Sequence, residues 1–369
     1  LLTGLQAQQF GVDSMDPYQS NVAVYRGLGY IAIWLLFMSL FDSDFRLRLF
    51  AGVITLTALV QVVFGMLNYY GEASVMGWMP THYAVHRVTG TYVNRNFFAN
   101  LLVMASGFSL VWLLARRRYE GYSPGPAPTG NSVPVSSVSM ITAALVILGM
   151  LFGGVLLSGS RGGLLSATLA SMLLLMLMST MKGIRVSWRP LGFLFVAIAA
   201  VFGFGLMQLR LGRLGADSTG RLEQWRGTLE MIALRPWTGY GAGAYETAFR
   251  NRQSGDLGPL TYNHAHNDYL QLLLEQGVMG LLLVAMVILI PVLYGLWRAY
   301  ESRSVRRRRW ILASLYGVSA MLFHSMVDSP FTVPANVWIF IAMLAILASA
   351  TTLEYRREAK VASATIGAG

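Results

Sequence analysis

The sequence predicts an all-α protein, a polytopic bundle of transmembrane helices with one large, partly helical loop. Three observations predict it. Apolar residues make up 55% of the 369-residue chain. Charged residues make up only 12%, against about 25% in soluble domains. Mean hydropathy is +0.52, and the apolar residues come in unbroken runs with no alternation of the kind that builds a membrane β-barrel.

Crossing ~30 Å of hydrocarbon takes about 20 apolar residues as a helix. About nine stretches qualify: 22–41, 49–70, 96–115, 138–158, 162–181, 191–209, 278–298, 311–327 and 334–352. The charges support the count. Arg46 and Arg48 follow the first stretch, Arg116 to Arg118 the third, and Lys182, Arg185 and Arg189 the fifth. Arg298, Arg303 and Arg306 to Arg309 follow the seventh, and Arg356, Arg357 and Lys360 the ninth. Every odd-numbered span ends on a basic loop. One orientation satisfies them all, with those loops cytoplasmic. The basic run 306–309 is then suited to anionic membrane lipid. The same bias accounts for the net charge of +11, so no nucleic-acid partner is expected. Cysteine is absent, which excludes disulfides, thiol nucleophiles and thiolate metal sites.

The expected organisation is an N-terminal transmembrane bundle over 1–209, a large loop over 210–277, and C-terminal helices with a cytoplasmic tail over 278–369. Within the loop, Leu222, Trp225, Leu229 and Ile232 recur at helical spacing and predict a helix over 217–234. Pro236, Gly239, Gly241 and Gly243 then break the chain into turns. The Pro- and Gly-rich stretch 121–137 reads as a flexible cytoplasmic loop. The chain begins at Leu1 and shows no signal peptide, and helices preceding it are expected in a longer protein.

Polar residues gather at the face opposite the basic loops. The stretch Tyr262 to Gly280 carries His264, His266, Asn267 and Asp268, then an apolar helical pattern interrupted by one carboxylate, Glu275. Histidine is the side chain whose ordinary pKa suits proton transfer near neutrality. His324 and Asp328 end the eighth span, and Asn94, Arg95 and Asn96 open the third, on the same face. Arg161 sits between two apolar spans in Ser-Gly-Ser-Arg-Gly-Gly, and Arg221 opens the loop helix. A snorkelling or solvated arginine is the plain alternative for each. However, the large loop holds many arginines and no lysine, which suits bidentate recognition of phosphate or carboxylate. His264, His266 and Asp268 have a spacing that a zinc ion could use. Hydrogen-bonded interface histidines are the preferred reading, because no further carboxylate–histidine cluster is evident, and no metal is assigned. His82 and His86 lack a third ligand. Five polar signals from five segments thus point to one side of the membrane.

The order of these motifs resembles the bacterial O-antigen ligase and O-antigen polymerase family. The motifs are Gly-Thr-Tyr-Val-Asn-Arg-Asn (90–96), Ser-Gly-Ser-Arg-Gly-Gly (158–163), and Arg221 with Trp225. Pro-Trp-Thr-Gly-Tyr-Gly-Ala-Gly (236–243) and His-Asn-Asp-Tyr-Leu…Glu-Gln-Gly-Val-Met-Gly (266–280) complete the set. The last is the most specific. The resemblance covers roughly 90–330. It implies a multi-pass glycosyltransferase of the inner membrane, working on the periplasmic side without cofactor or metal. Its donor would be a glycan on undecaprenyl diphosphate, its acceptor a lipid or glycan hydroxyl. It would make His266, Arg161 and Arg221 the catalytic residues. Arg95, Asn94, Asn96, His264, Asn267, Asp268, Glu275 and Asp328 would bind substrate. Phe97 and Phe98 stand where relatives often carry a histidine, so no catalytic role is given to that position. Relatives usually have more spans than nine, which again points to preceding helices.

A transporter or flippase for an anionic lipid-linked sugar is the competing class. It would need polar residues through the membrane depth and related halves. Spans such as 138–158 and 278–298 are almost wholly apolar, which favours the enzyme. Ligase and polymerase share a donor and are not separated by the sequence.

Overall fold

The computed structural model describes residues 14–70, 87–116, 135–181, 185–186, 215–250, 262–302 and 304–349. The fold is all-α, a polytopic helical bundle. The helices are α1 (Pro17–Leu40), α2 (Asp44–Tyr70), α3 (Arg95–Leu114), α4 (Val135–Ser158), α5 (Arg161–Thr180), α6 (Gly215–Leu234), α7 (Tyr245–Arg250), α8 (Asp268–Glu301), α9 (Val305–His324) and α10 (Pro334–Ser349). Two-residue strands, β1 (Ala115–Arg116) and β2 (Arg185–Val186), pair antiparallel. Eight of the expected spans fall on these helices. The span 191–209, the loop 121–134, His82, His86 and the tail from 350 lie outside the described residues.

Six of the described helices, α1 to α5 and α8, are long and apolar enough to cross a membrane by length and composition. α9 opens on its arginine run and α10 has 16 residues. Starts follow ordinary capping chemistry, in which a side-chain oxygen takes an otherwise orphaned backbone N–H. Asp16 accepts from Gln19 N ahead of Pro17. Ser160 caps α5, Asn267 caps α8 and Ser304 caps α9.

The core is built on α3, which packs against α4 and α9, while α10 packs on α9, α1 and α8. Close approach is what holds helices together where lipid removes the hydrophobic drive. At Gly107 of α3, a Cβ would sit 2.6 Å from the ring of Tyr316 on α9. By contrast, much of α1, α2 and α8 shows large apolar side chains outward, such as Leu35, Leu56 and Ile290, as lipid-facing helices do.

The two ends of the bundle differ. At one end, Trp310 Nε1 donates to Asp44 at 2.9 Å, Arg306 lies 3.9 Å from Asp44, β1 meets β2, and Thr180 and Tyr300 share a 2.6 Å hydrogen bond. These contacts bring together the described parts of four of the expected basic loops. The polar residues of interest lie at the other end.

α8 is broken there. Gly277 has φ 63 and ψ −169, a conformation essentially reserved to glycine. A helix break inside apolar surroundings leaves backbone groups that need partners. The turns at 236–241 supply them. Tyr240 N and Gly241 N donate to the carbonyls of Leu274 and Glu275 at 2.9 and 2.8 Å. In return, Val278 N donates to Pro236 O at 2.8 Å and Met279 N to Trp237 O at 3.3 Å. Glu275 is buried and accepts from Gly243 N at 2.7 Å and from Gln271 Nε2 at 2.9 Å. The start of α1 closes over the same turns. Met15 N donates to Tyr240 O and the Ser20 hydroxyl to Ala242 O, both at 2.9 Å.

Candidate active site

The first half of α8 and the turn after α9 hold the site between them. From α6, Trp225 Nε1 donates to Ala265 O at 2.8 Å and Gln224 Nε2 to His264 O at 2.7 Å. These bonds pin the chain just before His266. Asn267 then caps α8 and donates through Nδ2 to Met326 O at 3.0 Å. The next amide, Asp268 N, donates to Ser325 O at 2.9 Å. Residues 267–268 are thereby fastened along the 325–326 turn. His266 is left with φ 50, the one non-glycine residue with positive φ among the described residues. Such backbone strain persists where surrounding contacts over-determine it, and it clusters at functional sites.

His266 Nδ1 lies 2.9 Å from Asp328 Oδ1. The histidine side chain is 35% exposed and the aspartate 1%. Burial pushes the Asp328 carboxyl up, but the hydrogen bond and charge of His266, with His324 and Arg221 nearby, outweigh it and leave the group below its ordinary range. Asp328 is therefore an anion that can only accept. Ser329 N donates to Oδ1 at 2.9 Å, and Asn96 Nδ2 donates to Oδ2. Asn96 Oδ1 in turn accepts the Ser160 hydroxyl at 2.7 Å. With Nδ1 committed to a carboxylate, Nε2 of His266 is the nitrogen left to act on a substrate.

Arg221 and the start of α5, which carries Arg161, lie at the same end of the bundle as this pair. Arg161 is the first residue of α5, directly after Ser160, and it is exposed. Arg221 is half-buried on α6 and donates through Nη1 to Val327 O at 2.9 Å. Thus segments opening α3, α5 and α8, the helix α6 and the turn after α9 meet at one end of the bundle.

The remaining expected residues mostly have polar atoms committed to the protein. Asn94 accepts from Asn96 N at 2.8 Å and so caps α3. Asp268 accepts from Phe331 N at 3.2 Å. Glu275 serves the break in α8. His264 Nδ1 lies 3.4 Å from Gln271 Nε2, and burial, with His266 beside it, lowers its pKa. Arg95 is half-buried at the start of α3. His264, His266 and Asp268 thus turn to three different partners. Among the described residues, no three His, Cys, Asp or Glu side chains gather into a metal-binding group.

Two features were outside the sequence reading. Ser160 was legible only as part of a motif, although a serine directly before a helix is a capping signal. A buried chain of polar groups also runs beneath the site. Tyr92 OH donates to Asn336 Oδ1, Asn336 Nδ2 to Asn100 Oδ1, and Asn100 Nδ2 lies 3.4 Å from His324 Nδ1. The signal for it was an asparagine within the opening turns of each of two apolar spans, Asn100 and Asn336.

With this geometry in place, comparison with known proteins is informative. Residues 145–285 match the O-antigen ligase family. The resemblance carried by the motifs is borne out at that level. The matched stretch runs from α4 into α8 and contains Arg161, Arg221 and His266, while Asn96 and Asp328 lie outside it. The chain is also 30% identical over 172 residues to the exopolysaccharide production protein ExoQ of Rhizobium meliloti (strain 1021). That similarity covers 44% of this chain and 38% of the relative's length.

Proposed function

We propose that this chain is the catalytic part of a membrane glycosyltransferase of the O-antigen ligase or polymerase type. It moves a glycan from an undecaprenyl-diphosphate donor to an acceptor hydroxyl at the periplasmic face of the bacterial inner membrane. The observation that carries this reading is the His266–Asp328 pair, on strained backbone, at the end of the bundle where α5 opens on Arg161 and Arg221 bonds Val327. The family match and the exopolysaccharide relative support the substrate class.

An acceptor hydroxyl is a poor nucleophile until a base takes its proton. His266 Nε2 takes that proton, and the buried Asp328 carboxylate holds the ring in place and stabilises the imidazolium that forms. The acceptor oxygen bonds to the sugar C1 as the C1–O bond to the diphosphate breaks. The electron pair of that bond leaves on the diphosphate. Arg161 and Arg221 offset the developing charge with charge-assisted hydrogen bonds. The imidazolium then returns its proton to solvent. No carboxylate nucleophile is needed, so the product is inverted at C1.

The test is transfer in vitro from a purified lipid-linked glycan, with product size measured. A single addition identifies a ligase and a ladder identifies a polymerase. Movement of the lipid-linked sugar across the bilayer without any transfer would sink the reading and favour a flippase.

A further inference from the structure

Asn96 was expected to bind substrate, but its side chain is spent elsewhere. The amide lies between Ser160 and Asp328, and each bond in that line has a fixed direction. Gly163 N–H donates to Ser160 Oγ at 3.1 Å, as in any capped helix. The Ser160 hydroxyl proton goes to Asn96 Oδ1 at 2.7 Å. Having accepted at oxygen, Asn96 presents its NH₂ to Asp328 Oδ2. Asp328, an acceptor only, takes the Nδ1 proton of His266 through Oδ1 at 2.9 Å. Reversing any one bond would set donor against donor or acceptor against acceptor. Ser160 is fully buried and Asp328 nearly so, so water is a poor substitute for either partner.

We infer that Asn96 and Ser160 are positioning residues, a relay from the first turn of α5 that orients Asp328 and holds it as a carboxylate, which in turn fixes which nitrogen of His266 carries the proton. The relay leaves Nε2 as the bare lone pair. A free histidine side chain has no such constraint and populates both tautomers. The same serine also seats the helix that opens on Arg161. The start of the arginine's helix and the base are therefore registered to one another through Ser160, Asn96 and Asp328. This inference rests on the proposed role of His266 for its catalytic meaning, but the tautomer itself does not.

The experiment is ¹⁵N NMR of the full chain in nanodiscs with labelled histidine. The chain has five histidines, and the His266→Gln variant identifies the signal. At pH 8, His266 should show protonated Nδ1 and bare Nε2. Asn96→Leu and Ser160→Gly should each move that signal toward a mixture of tautomers. Glycine is an acceptable helix cap, so Ser160→Gly decides the matter if Asn96→Leu fails to fold. With the lipid-linked glycan donor, kcat in both variants should fall roughly 10- to 100-fold at nearly unchanged KM. A wild-type signal with protonated Nε2, or variants that keep the wild-type signal, would overturn the relay. A raised KM with an unaltered signal would return Asn96 to substrate binding and overturn it too. The NMR result needs no substrate, so the relay is judged even if His266 proves not to be the base.

Discussion

At the level of single residues, histidine and arginine should divide the work. Loss of a general base typically costs 10²–10⁴-fold in rate. We expect His266→Ala to lower turnover in that range while leaving affinity for an undecaprenyl diphosphate analogue nearly intact. Arg161→Ala and Arg221→Ala should weaken both. Lysine at either position should restore only part, because a point charge cannot reproduce a bidentate fork. Measuring analogue affinity beside turnover separates the roles, and a histidine variant that loses affinity as severely as the arginine variants refutes the base. A second expectation concerns pH. Burial lowers the pKa of His264 in the folded protein. The unfolded chain therefore takes up the proton first, at its ordinary value of about 6.5. His264 favours the folded state in full above that pH, and its contribution falls as the pH drops toward the lower folded value. Asp328, depressed in the folded state, acts only at more acid pH. Melting temperature in detergent should fall further from pH 7.5 to 5.5 in the wild type than in His264→Gln, the difference between the two slopes being the contribution of His264. An unchanged slope would refute the attribution. His266 and Asp328 were each legible from sequence as polar residues at a membrane boundary. Their pairing was not, because the two are 62 residues apart and nothing local in either segment names the other.

At the level of elements, the long helices were legible because twenty apolar residues in lipid have few other options. The break in α8 was not. Gln276 and Gly277 fall within a helical pattern that continues to Tyr294, and an isolated glycine does not end a helix. What ends it is the turn at 236–241, whose backbone replaces the missing helical bonds. A methyl group on Gly277 would lie 2.3 Å from the Trp237 backbone and would meet a φ of 63. Gly277→Ala should therefore destabilise the protein by at least the roughly 1–3 kcal/mol of a forbidden backbone conformation. Activity should be lost with it, since His266 directly precedes the Asn267 cap of this first half of α8. Gly149→Ala is the control, because a Cβ there meets nothing within 4 Å and alanine favours helix. Equal thermal stability of the two variants would show that the break is not held in this way.

At the level of the whole molecule, the described parts of four basic loops and the candidate site occupy opposite ends of one bundle. The proposed orientation puts the site in the periplasm and the arginine run 306–309 in the cytoplasm. The chain has no cysteine, so single cysteines report topology without background. Val93 is 65% exposed near the site, and Glu301 is exposed at the far end of α8. In intact cells, Val93→Cys should react with an impermeant thiol reagent and Glu301→Cys should react only after lysis. The reverse pattern would place the site in the cytoplasm and remove the enzyme reading, since the acceptor and donor would then be on the wrong side.

The turn that closes the gap in α8 also has a bearing on how the chain is made. Residues 236–241 leave the ribosome before 274–279 do, so the complementary backbone is already synthesised when the interrupted helix emerges. The pair can meet within one short excursion of the chain, with no later helix required. Biogenesis of this end can thus proceed from the loop toward the membrane, and α8 need never be threaded with its gap unfilled. A nascent chain stalled after α8 but before α9 should already protect residues 236–241 and 274–279 from protease, although the aspartate that completes the histidine pair has yet to be translated.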